Sequence, residues 1–359
     1  MYSVRYISEK EQTNNNLLDI KDCVNNIEKM FRIMADNDYV MSGENQNSHG
    51  ARLMFDRQGS INTNNLYISM PAHLGGEFNC TGIKWHGPNI SGSSDTETKH
   101  TLIINDTDTG VPLCIMPANS ITSYRTAAVS IYAAKRLANS NVKSVGIIGP
   151  GKINTLFLKG LAQEFPSIET IKIKGRGRNS IDKFVTMINS ELDGIKEVLV
   201  VDSFEEAVCG ADVVSINTGF EFSGIQDMPI IRDRWIKKGA VIICTAFVKF
   251  SDDFIVNKAV KVADNIKMYQ SYAKELGHPV YRGLSNLGNR YIDLVHEGKI
   301  CLENIFDLKD IASGRCKARK QEDDIVIFSS GGMAIEDLAV GYDVLKKAEK
   351  MNIGTILEW

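Results

Sequence analysis

Apolar side chains recur at helical spacing near the start of the chain and predict its first long helix. Between residues 17 and 34 they fall on one face, so this helix is expected to pack against a core. From residue 39 to 105 the pattern changes to short apolar runs, such as residues 66–70 and 101–104, separated by glycine, asparagine and serine. The front of the chain is therefore predicted to be a helix on a mixed or antiparallel sheet.

Beyond this front region, apolar strands alternate with amphipathic helices. A turn at residues 106–110 and a helix at residues 122–138 connect the two regions. Strands are predicted at residues 144–149, 170–174, 197–201, 211–217, 240–245, 259–263 and 324–328, and helices at residues 154–164, 181–190, 204–208 and 332–351. Strands that are apolar along their whole length are typical of a parallel sheet with helices on both faces. The predicted fold class is therefore α/β, with a Rossmann-type doubly wound parallel sheet.

Composition narrows the classes of function. The chain of 359 residues has 41 lysines and arginines against 44 acidic residues, a net charge of −3, which argues against a nucleic-acid-binding protein. No apolar run approaches the roughly 20 residues of a membrane-spanning helix, and the first residues lack the basic start and apolar core of a signal peptide. The seven cysteines include no CxxC pair, so we expect reduced thiols in a cytoplasmic protein.

A glycine-rich turn follows the strand at residues 144–149 and leads into the next helix. In the GxGxx(G/A) pattern, the first glycine allows a tight turn and the second lets the backbone approach a pyrophosphate at the helix start. A strand before, a helix after and a second strand about 20–25 residues further on indicate a dinucleotide site. Asparagine takes the last position of the pattern here and is larger than the usual glycine. The predicted contacts are Gly149, Pro150, Gly151, Lys152, Ile153 and Asn154, with Thr218 after a later strand.

The end of the second strand of this region indicates which dinucleotide binds. An NAD site usually has an acidic residue here for the ribose 2′-hydroxyl, whereas this chain reads Lys174-Gly-Arg-Gly-Arg-Asn-Ser180, with no acid before Asp182. Basic and hydroxyl side chains would instead donate charge-assisted hydrogen bonds to a 2′-phosphate. NADP(H) is therefore favoured, NAD(H) is the alternative, and a solvated basic loop without a ligand is the third interpretation. The predicted phosphate contacts are Arg176, Arg178, Asn179 and Ser180.

Three basic residues of the front region are candidates for holding a substrate: Arg52, Lys84 and Arg125. Arg125 lies in the first turn of the helix predicted from residue 122, where backbone N–H groups favour an anion. An arginine fork and a lysine point charge that meet near a helix N-terminus form a carboxylate receptor. For an isolated cation, a surface ion pair is the usual outcome, and sequence spacing alone does not bring these three together.

Several segments, taken in order, resemble the ornithine cyclodeaminase/μ-crystallin superfamily from about residue 20 to the C-terminus. They are Lys84-Trp-His, Asn105-Asp-Thr-Asp-Thr-Gly-Val-Pro112, Ser123-Tyr-Arg-Thr-Ala-Ala128, Gly149-Pro-Gly and Gly332-Met-Ala-Ile-Glu-Asp-Leu338. The resemblance implies an α+β substrate-binding and dimerisation domain of residues 1–121, completed by residues 332–359, around an NAD(P)-binding Rossmann domain of residues 122–331. It also implies a homodimer that acts on amino acids or cyclic imines with a nicotinamide cofactor.

The same resemblance assigns roles to individual residues. Arg52, Lys84 and Arg125 match the residues that hold the substrate carboxylate in the family. The stretch at residues 330–333, with Gly332 and Met333, matches the one that lies against the nicotinamide. Gly332, Met333 and Thr126, which follows the matched arginine, join the predicted cofactor contacts.

Two acidic residues of true ornithine cyclodeaminases are missing from the matching positions. Ile68 stands where these enzymes carry a glutamate two residues before Met-Pro, and Val248 stands where they carry a catalytic aspartate. Without these carboxylates, deamination with cyclisation lacks the groups that hold a δ-ammonium and move protons. Asp252 or Asp253 would replace the missing aspartate only if the loop shifts.

Two branches of the superfamily match in more detail. One contains dehydrogenases of diaminopropionate biosynthesis, which oxidise an N-substituted amino acid that then hydrolyses. The other is a group that takes its name from the second component of tyramine oxidase, and it shares Lys84-Trp-His-Gly-Pro-Asn89 and the Asn-Ser-His-Gly of residues 47–50. The second match is the closer one, and its name allows a non-catalytic partner role.

The six histidines show no metal-binding spacing, so no metal site is expected. No two are three or four positions apart on a predicted helix, and none pairs with a cysteine at ligand spacing. His86, beside Lys84, is the candidate proton donor or acceptor at the substrate because a histidine pKa can lie near neutral. A structural hydrogen bond is the equal alternative.

Together these features predict an NAD(P)-dependent oxidoreductase that acts on an amino acid, its imine or an N-substituted amino acid by hydride transfer. Arg125 and Lys84, with Arg52, would fix the substrate carboxylate, and the candidate catalytic residues are Lys84, His86 and Asp252. One alternative is an ornithine cyclodeaminase that recycles NAD, and the other is a non-catalytic, μ-crystallin-like ligand-binding or partner subunit. Neither a nucleic acid nor a membrane is an expected partner.

Overall fold

A computed structural model describes residues 2–55, 65–87, 99–218 and 228–358 of the chain. The chain divides into two compact units, one formed by Met1–Arg125 and Gly332–Trp359 and the other by Thr126–Gly331. Pro88 and Asn89, which belong to a segment that carries the superfamily resemblance, lie outside the described residues. Within the described ranges, no helix is both long enough and apolar enough to cross a lipid bilayer.

The first unit is built around an eight-stranded mixed sheet. Its strands are β1 (Ser3–Tyr6), β2 (Tyr39–Met41), β3 (Ala51–Phe55), β4 (Asn65–Leu74), β5 (Cys80–His86), β6 (His100–Asp106), β7 (Pro112–Pro117) and β16 (Thr355–Glu358). They lie in the order β16-β1-β7-β6-β5-β4-β2, and β3 also pairs with β4. Only the β1–β7 pair is parallel among these pairings. The sheet predicted for the front of the chain is therefore mixed.

Strand register decides which side chains share a face of this sheet. Met70, Lys84 and Leu102 pair directly across β4, β5 and β6, and all three are buried. Directly paired residues of neighbouring antiparallel strands point to the same face. The adjacent row on this face, two residues along each strand, consists of Arg52 of β3, Ile68 of β4, His86 of β5 and His100 of β6.

Two long helices accompany the sheet in this unit. α2 (Ile20–Ala35) packs on α12 (Ala334–Met351), which also packs on β4, β5 and β6. The Asp19 side chain accepts hydrogen bonds from the N–H groups of Lys21 and Asp22, so α2 begins three residues later than the pattern predicted. The unit also contains the short α1 (Glu9–Asn14) and the start of α3 (Asn119–Leu137).

The second unit contains an eight-stranded sheet in which every neighbouring pair is parallel. Its strands are β8 (Ser144–Ile148), β9 (Thr170–Lys174), β10 (Glu197–Val200), β11 (Val213–Ile216), β12 (Val241–Cys244), β13 (Ala259–Ala263), β14 (Ile305–Asp307) and β15 (Ile325–Ser329). They lie in the order β10-β9-β8-β11-β12-β15-β13-β14. The order reverses between β8 and β11, the place where doubly wound sheets bind ligands. The prediction of a doubly wound parallel sheet is confirmed.

The helices of the second unit lie between these strands along the chain. They are α4 (Lys152–Glu164), α5 (Arg178–Glu191), α6 (Phe204–Val208), α7 (Asp252–Asn257), α8 (Ile266–Leu276), α9 (Val280–Gly283), α10 (Leu287–His296) and α11 (Leu308–Ala312). The hydrophobic pattern did not predict α7 to α11. These helices have only 4 to 11 residues, too few turns for a clear helical period.

Candidate functional site

The two cations predicted most clearly to bind a carboxylate meet on a carboxylate of the protein itself. The Lys84 ammonium donates to Asp337 Oδ2 at 2.6 Å, and Arg125 Nε donates to Asp337 Oδ1 at 3.3 Å. Arg125 Nη1 also donates to Glu336 Oε2 at 2.7 Å. Lys84 comes from β5, Arg125 from α3 and both acids from the first turn of α12. We call these four side chains the charge cluster.

The charge cluster is withdrawn from solvent. The side chains of Lys84 and Arg125 are 2% and 8% exposed, and those of Glu336 and Asp337 are fully buried. Because an unpaired buried charge is strongly unfavourable, two cations and two anions must form the cluster together. The position of both acids at the N-terminal end of α12 is also favourable, since that end of a helix carries a partial positive charge.

Burial shifts the titration of the charge cluster. It lowers the pKa of Lys84 to about 8, although Asp337 offsets part of that effect. Burial also raises the pKa of Asp337, but Arg125 and Lys84 outweigh it and hold this pKa below its usual range. Asp337 is therefore a carboxylate at neutral pH, whereas Lys84 exchanges its proton in a range that an enzyme can use.

Gly332 and His49 lie against the cluster. Gly332 has φ of +79°, and a Cβ at this position would clash with the Arg125 guanidinium. Its carbonyl accepts a hydrogen bond from His49 Nδ1 at 2.8 Å, which leaves Nε2 of the neutral ring as an acceptor. Burial lowers the pKa of His49 to about 3, and the charges of Lys84, Arg125 and Arg52 lower it further. All three predicted substrate-binding cations therefore act on this one imidazole.

His86 and His100 face each other across β5 and β6. Their ring centroids are 4.6 Å apart, and the rings meet edge to face. Both Nδ1 atoms are buried without a hydrogen-bond partner among the residues that the structure describes. Burial lowers the pKa of His86 to about 4 and that of His100 to about 3, and Lys84 lowers both further. Both rings are therefore neutral at pH 7.

Asp252 lies in a separate ion-pair network of the second unit. Arg290 donates to its two carboxylate oxygens at 3.0 and 2.6 Å, and the Lys299 ammonium lies 3.3 Å from Oδ2. The Arg290 hydrogen bonds hold the pKa of Asp252 below its usual range. Asp253 interacts with Lys258 at 3.7 Å. Both acids are thus bound by cations of their own surroundings.

The glycine-rich turn begins where β8 ends, beside the reversal of strand order. Gly149 has φ of +88°, and a Cβ there would clash with the backbone oxygen of Asn217. Gly151 precedes α4 without a side-chain cap, and a Cβ on it would meet no atom within 4 Å. The N–H groups of Lys152 and Ile153 thus start a helix that faces open space at Gly151. A phosphate group suits such a place.

Asn154 fits the turn although it replaces a glycine. Its amide N–H groups donate to the carbonyls of Ile148 and Gly149 at 3.2 and 2.8 Å, and its Oδ1 accepts from Ser215 Oγ at 2.6 Å. The side chain is fully buried. Asn154 therefore ties the turn to β8 and to β11 and satisfies its own polar atoms.

The loop after β9 carries the residues predicted to bind a 2′-phosphate. Gly175 approaches the turn so closely that a Cβ on it would lie 2.8 Å from the Pro150 ring. α5 then begins at Arg178, again without a side-chain cap. Arg178 is 82% exposed and pairs with Asp182 at 3.0 Å. The other loop residues of this set are also exposed, namely Arg176, Asn179 and Ser180.

The remaining predicted cofactor contacts lie at the ends of elements. Thr218 closely follows β11 beside Gly149, and its buried hydroxyl has no hydrogen-bond partner among the described residues. A buried polar atom of this kind points to a missing ligand. Thr126 lies on α3, where its carbonyl accepts from Ser130 Oγ at 2.9 Å. Met333 is fully buried and directly precedes α12.

Four residues of the site were not predicted from the sequence: His49, His100, Glu336 and Asp337. The acids had a signal, because two adjacent carboxylates stand in a tail segment that carries the superfamily resemblance, and buried cations need counterions. The histidines had none, since only strand pairing and the fold of the loop before β3 bring them to the cluster. Within the part of the chain that the structure describes, no group of three or more His, Cys, Asp or Glu side chains could hold a metal ion.

Comparison with known families decides the classification of this fold and site. The sequence model of the ornithine cyclodeaminase/mu-crystallin family matches residues 19–352. The chain belongs to this family. Among its relatives, the N-((2S)-2-amino-2-carboxyethyl)-L-glutamate dehydrogenase of Staphylococcus aureus is 30% identical over 294 residues, which cover 81% of each protein. The alanine dehydrogenase of Archaeoglobus fulgidus is 27% identical over 351 residues, which cover 96% of this chain and 95% of that protein.

A solved structure of the same fold covers the whole length of this family member. It is an archaeal alanine dehydrogenase dimer with bound NAD, which superimposes with a TM-score of 0.79 at 24% identity and full coverage of both chains. This likeness supports the α/β fold class, and the family match confirms the resemblance found in the sequence motifs.

Proposed function

We propose that the chain is an NAD(P)-dependent oxidoreductase that transfers hydride between a nicotinamide cofactor and an amino acid, its imine or an N-substituted amino acid. The observation that carries this proposal is the charge cluster, in which Lys84 and Arg125 bind one carboxylate in a buried place. The relatives support the same class, since one is named a dehydrogenase of an N-substituted amino acid and another an alanine dehydrogenase.

Lys84 and Arg125 keep donors with which to bind a substrate carboxylate. An ammonium has three N–H donors and a guanidinium five. Within the cluster, Lys84 uses one donor and Arg125 uses Nε and one N–H of Nη1. A carboxylate that accepts from the remaining donors would be held by charge-assisted hydrogen bonds, with the charge of Arg52 nearby. This set fixes the acid group and leaves the neighbouring carbon to react.

The glycine-rich turn has the features that a dinucleotide needs. The open space at Gly151 and the uncapped start of α4 suit a pyrophosphate, and the Thr218 hydroxyl is a buried donor without a partner among the described residues. Lys152, Ile153 and Asn154 supply the backbone N–H groups of the first helical turn. When bound there, a nicotinamide dinucleotide supplies a hydride acceptor or donor for the substrate carbon.

Lys84 is the proposed proton carrier for the substrate nitrogen. Its pKa of about 8 lets it donate and accept near neutral pH, and Asp337 orients its ammonium. The neutral His86 carries no additional proton to donate at pH 7, and Asp252 is held as a carboxylate by Arg290. The proposal therefore gives neither of these two the proton-transfer role.

We further propose that NADP(H) binds better than NAD(H). No acid precedes Asp182 after β9, and Asp182 itself pairs with Arg178. Arg176, Arg178 and Ser180 are exposed around the start of α5, where a 2′-phosphate would also meet helix N–H groups.

Changing both arginines to alanine, Arg176→Ala with Arg178→Ala, is expected to raise the Kd of NADPH about tenfold or more. Each charge-assisted hydrogen bond contributes about 1.5–3 kcal/mol, and only NADPH has the 2′-phosphate. NADH affinity should stay the same, and the exposed cation Lys183 on α5, changed to alanine, is the matched control. Cofactor fluorescence titration measures both constants. Equal affinities for NADH and NADPH in the unchanged protein, with no effect of the double variant, would remove the preference.

The protein is also proposed to form a homodimer through the open face of the first sheet. α12 packs on the other face, whereas Ile83, Ile103 and Ile115 pair in a row here and are only half-buried. Tyr6 and Trp85 on this face are 39% and 41% exposed. An apolar sheet face of this kind marks an interaction surface, and the archaeal alanine dehydrogenase of the same fold is a dimer.

Placing a charge in this row, Ile103→Asp, is expected to weaken the dimer at least about tenfold, because an unpaired carboxylate would be buried in the interface. Sedimentation equilibrium measures the constant. The control is Leu276→Asp, an exposed apolar residue of α8 in the other unit. A dimer of unchanged strength in the Ile103 variant would place the interface elsewhere.

A substrate panel tests the proposed reaction. Amino acids, cyclic imines and pairs of 2-oxo acids with amines are supplied with NADPH or NADH, and the cofactor absorbance is followed. Net oxidation or reduction of the cofactor supports an oxidoreductase. Ornithine cyclodeamination would instead give proline and ammonia without net absorbance change, although Ile68 and Val248 are buried apolar residues where that chemistry uses acids. Ligand-dependent stabilisation without any turnover would identify a binding protein and contradict the proposal.

A further inference from the structure

We infer that the substrate carries a second acidic group, and that His86 and His100 receive it. This inference rests on the proposed function, since it describes the far end of the substrate whose first carboxylate lies at Lys84 and Arg125. The four residues Arg52, Ile68, His86 and His100, which pair across β3 to β6, are called the histidine row.

The histidine row lies next to the carboxylate receptor on the same sheet face. Lys84 and His86 are two positions apart on β5, and a strand rises about 3.4 Å per residue, so the rows are about 7 Å apart. An acid group two or three carbons beyond the first carboxylate and its α-carbon would span that distance. A substrate anchored at Lys84 can therefore reach His86 and His100 without leaving this face.

The two imidazoles are equipped to bind a ligand group. Their rings touch at 4.6 Å, and the Nδ1 atom of each is buried without a hydrogen-bond partner among the described residues. Buried polar atoms of side chains are normally paired, so two such atoms in one place point to a polar group that comes from outside the chain. Either ring can place its proton on Nδ1 and donate it to an acceptor.

The surrounding charges favour an anion over an ammonium. Lys84 lowers the pKa of both histidines and outweighs the opposite effect of Asp337, so the potential at the rings is positive. Arg52 lies in the same row, and Ile68, opposite His86, has no charge with which to hold an ammonium. A carboxylate is an acceptor with the right charge for this position, whereas a terminal amine would meet cations and two neutral rings.

Binding of unreactive acids tests the inference without any turnover. Glutarate, pentanoate and 5-aminopentanoate share a five-carbon chain with one carboxylate and differ only at the far end. Isothermal titration into the protein saturated with NADPH should give glutarate at least a tenfold lower Kd than pentanoate, with 5-aminopentanoate the weakest. Glutarate that binds no better than pentanoate, or 5-aminopentanoate that binds as well as glutarate, would overturn the inference.

Variants then assign the effect to the row. His100→Leu should remove the tenfold advantage of glutarate and leave pentanoate unchanged, while His100→Asn, which keeps a polar group at the position of Nδ1, should retain it. Ile68→Glu should reverse the order and favour 5-aminopentanoate, because it adds a carboxylate opposite His86. His296→Leu, an exposed histidine of the other unit, is the control.

The outcomes separate the two proposals. If glutarate wins the binding comparison but no substrate is turned over, the inference stands and the oxidoreductase proposal fails. If turnover is found but the three acids bind alike, the oxidoreductase stands and the second acidic group is rejected. An unchanged glutarate advantage in a folded His100→Leu variant also rejects it.

Discussion

Replacing Arg125 with alanine is expected to lower kcat/KM by about a hundredfold or more and to leave cofactor binding intact. Truncating one partner of a buried, hydrogen-bonded charge pair costs about 2–5 kcal/mol, and every 1.4 kcal/mol is a factor of ten. Loss of the guanidinium also lets the substrate carbon move away from the reactive position, which lowers kcat as well as affinity. Steady-state kinetics with the best substrate of the panel measures the loss.

The interpretation of this variant depends on a control from the same helix. Lys135 is another cation of α3, but it is 38% exposed and pairs with Glu164 at the surface. Lys135→Ala should keep full activity. The Arg125 variant must also bind NADPH normally and keep its circular dichroism spectrum. Full turnover in that variant would refute the carboxylate receptor.

Replacing Asp337 with alanine is expected to destabilise the first unit by about 3–5 kcal/mol, the largest stability effect in the molecule that we predict. The change leaves Lys84 and half of the contacts of Arg125 without a counterion in a buried place. Urea unfolding, followed by a probe in this unit such as Trp85, measures the change in the free energy of unfolding.

A surface pair provides the comparison for Asp337. Asp22 pairs with Lys347 at 2.7 Å, but its side chain is 48% exposed, so Asp22→Ala should cost about 1 kcal/mol or less. The folded pKa of Asp337 is lower than its unfolded pKa, so its contribution is complete above the ordinary carboxyl range and is lost as pH falls through the folded pKa. The Asp337 variant should therefore lose less stability than the unchanged protein on acidification. Equal effects of the Asp337 and Asp22 variants would contradict a buried cluster.

The parts of the site that the sequence could predict are those coded by neighbouring residues. The turn from Gly149 to Asn154 lies between one strand and one helix, so its pattern alone indicates a phosphate site. Arg125 was found for the same reason, as a cation in the first turn of a predicted helix. The family motifs added Lys84, for which the spacing along the chain offered no partner.

The counterions could not be predicted in this way because they come from far along the chain. Asp337 is 253 residues after Lys84 and 212 residues after Arg125. The contact exists only because α12 returns to pack on β4, β5 and β6. The histidine row depends in the same way on strand register, since a slip of one residue would turn His86 to the opposite face.

The most direct test of the central claim is a crystal structure of the protein with reduced cofactor and an unreactive carboxylate such as glutarate. The account predicts the pyrophosphate at Gly151, a carboxylate bonded to both Lys84 and Arg125, and the carbon beside it about 3–3.5 Å from C4 of the nicotinamide. A ring far from both cations, an empty glycine-rich turn, or a carboxylate bound elsewhere would contradict it.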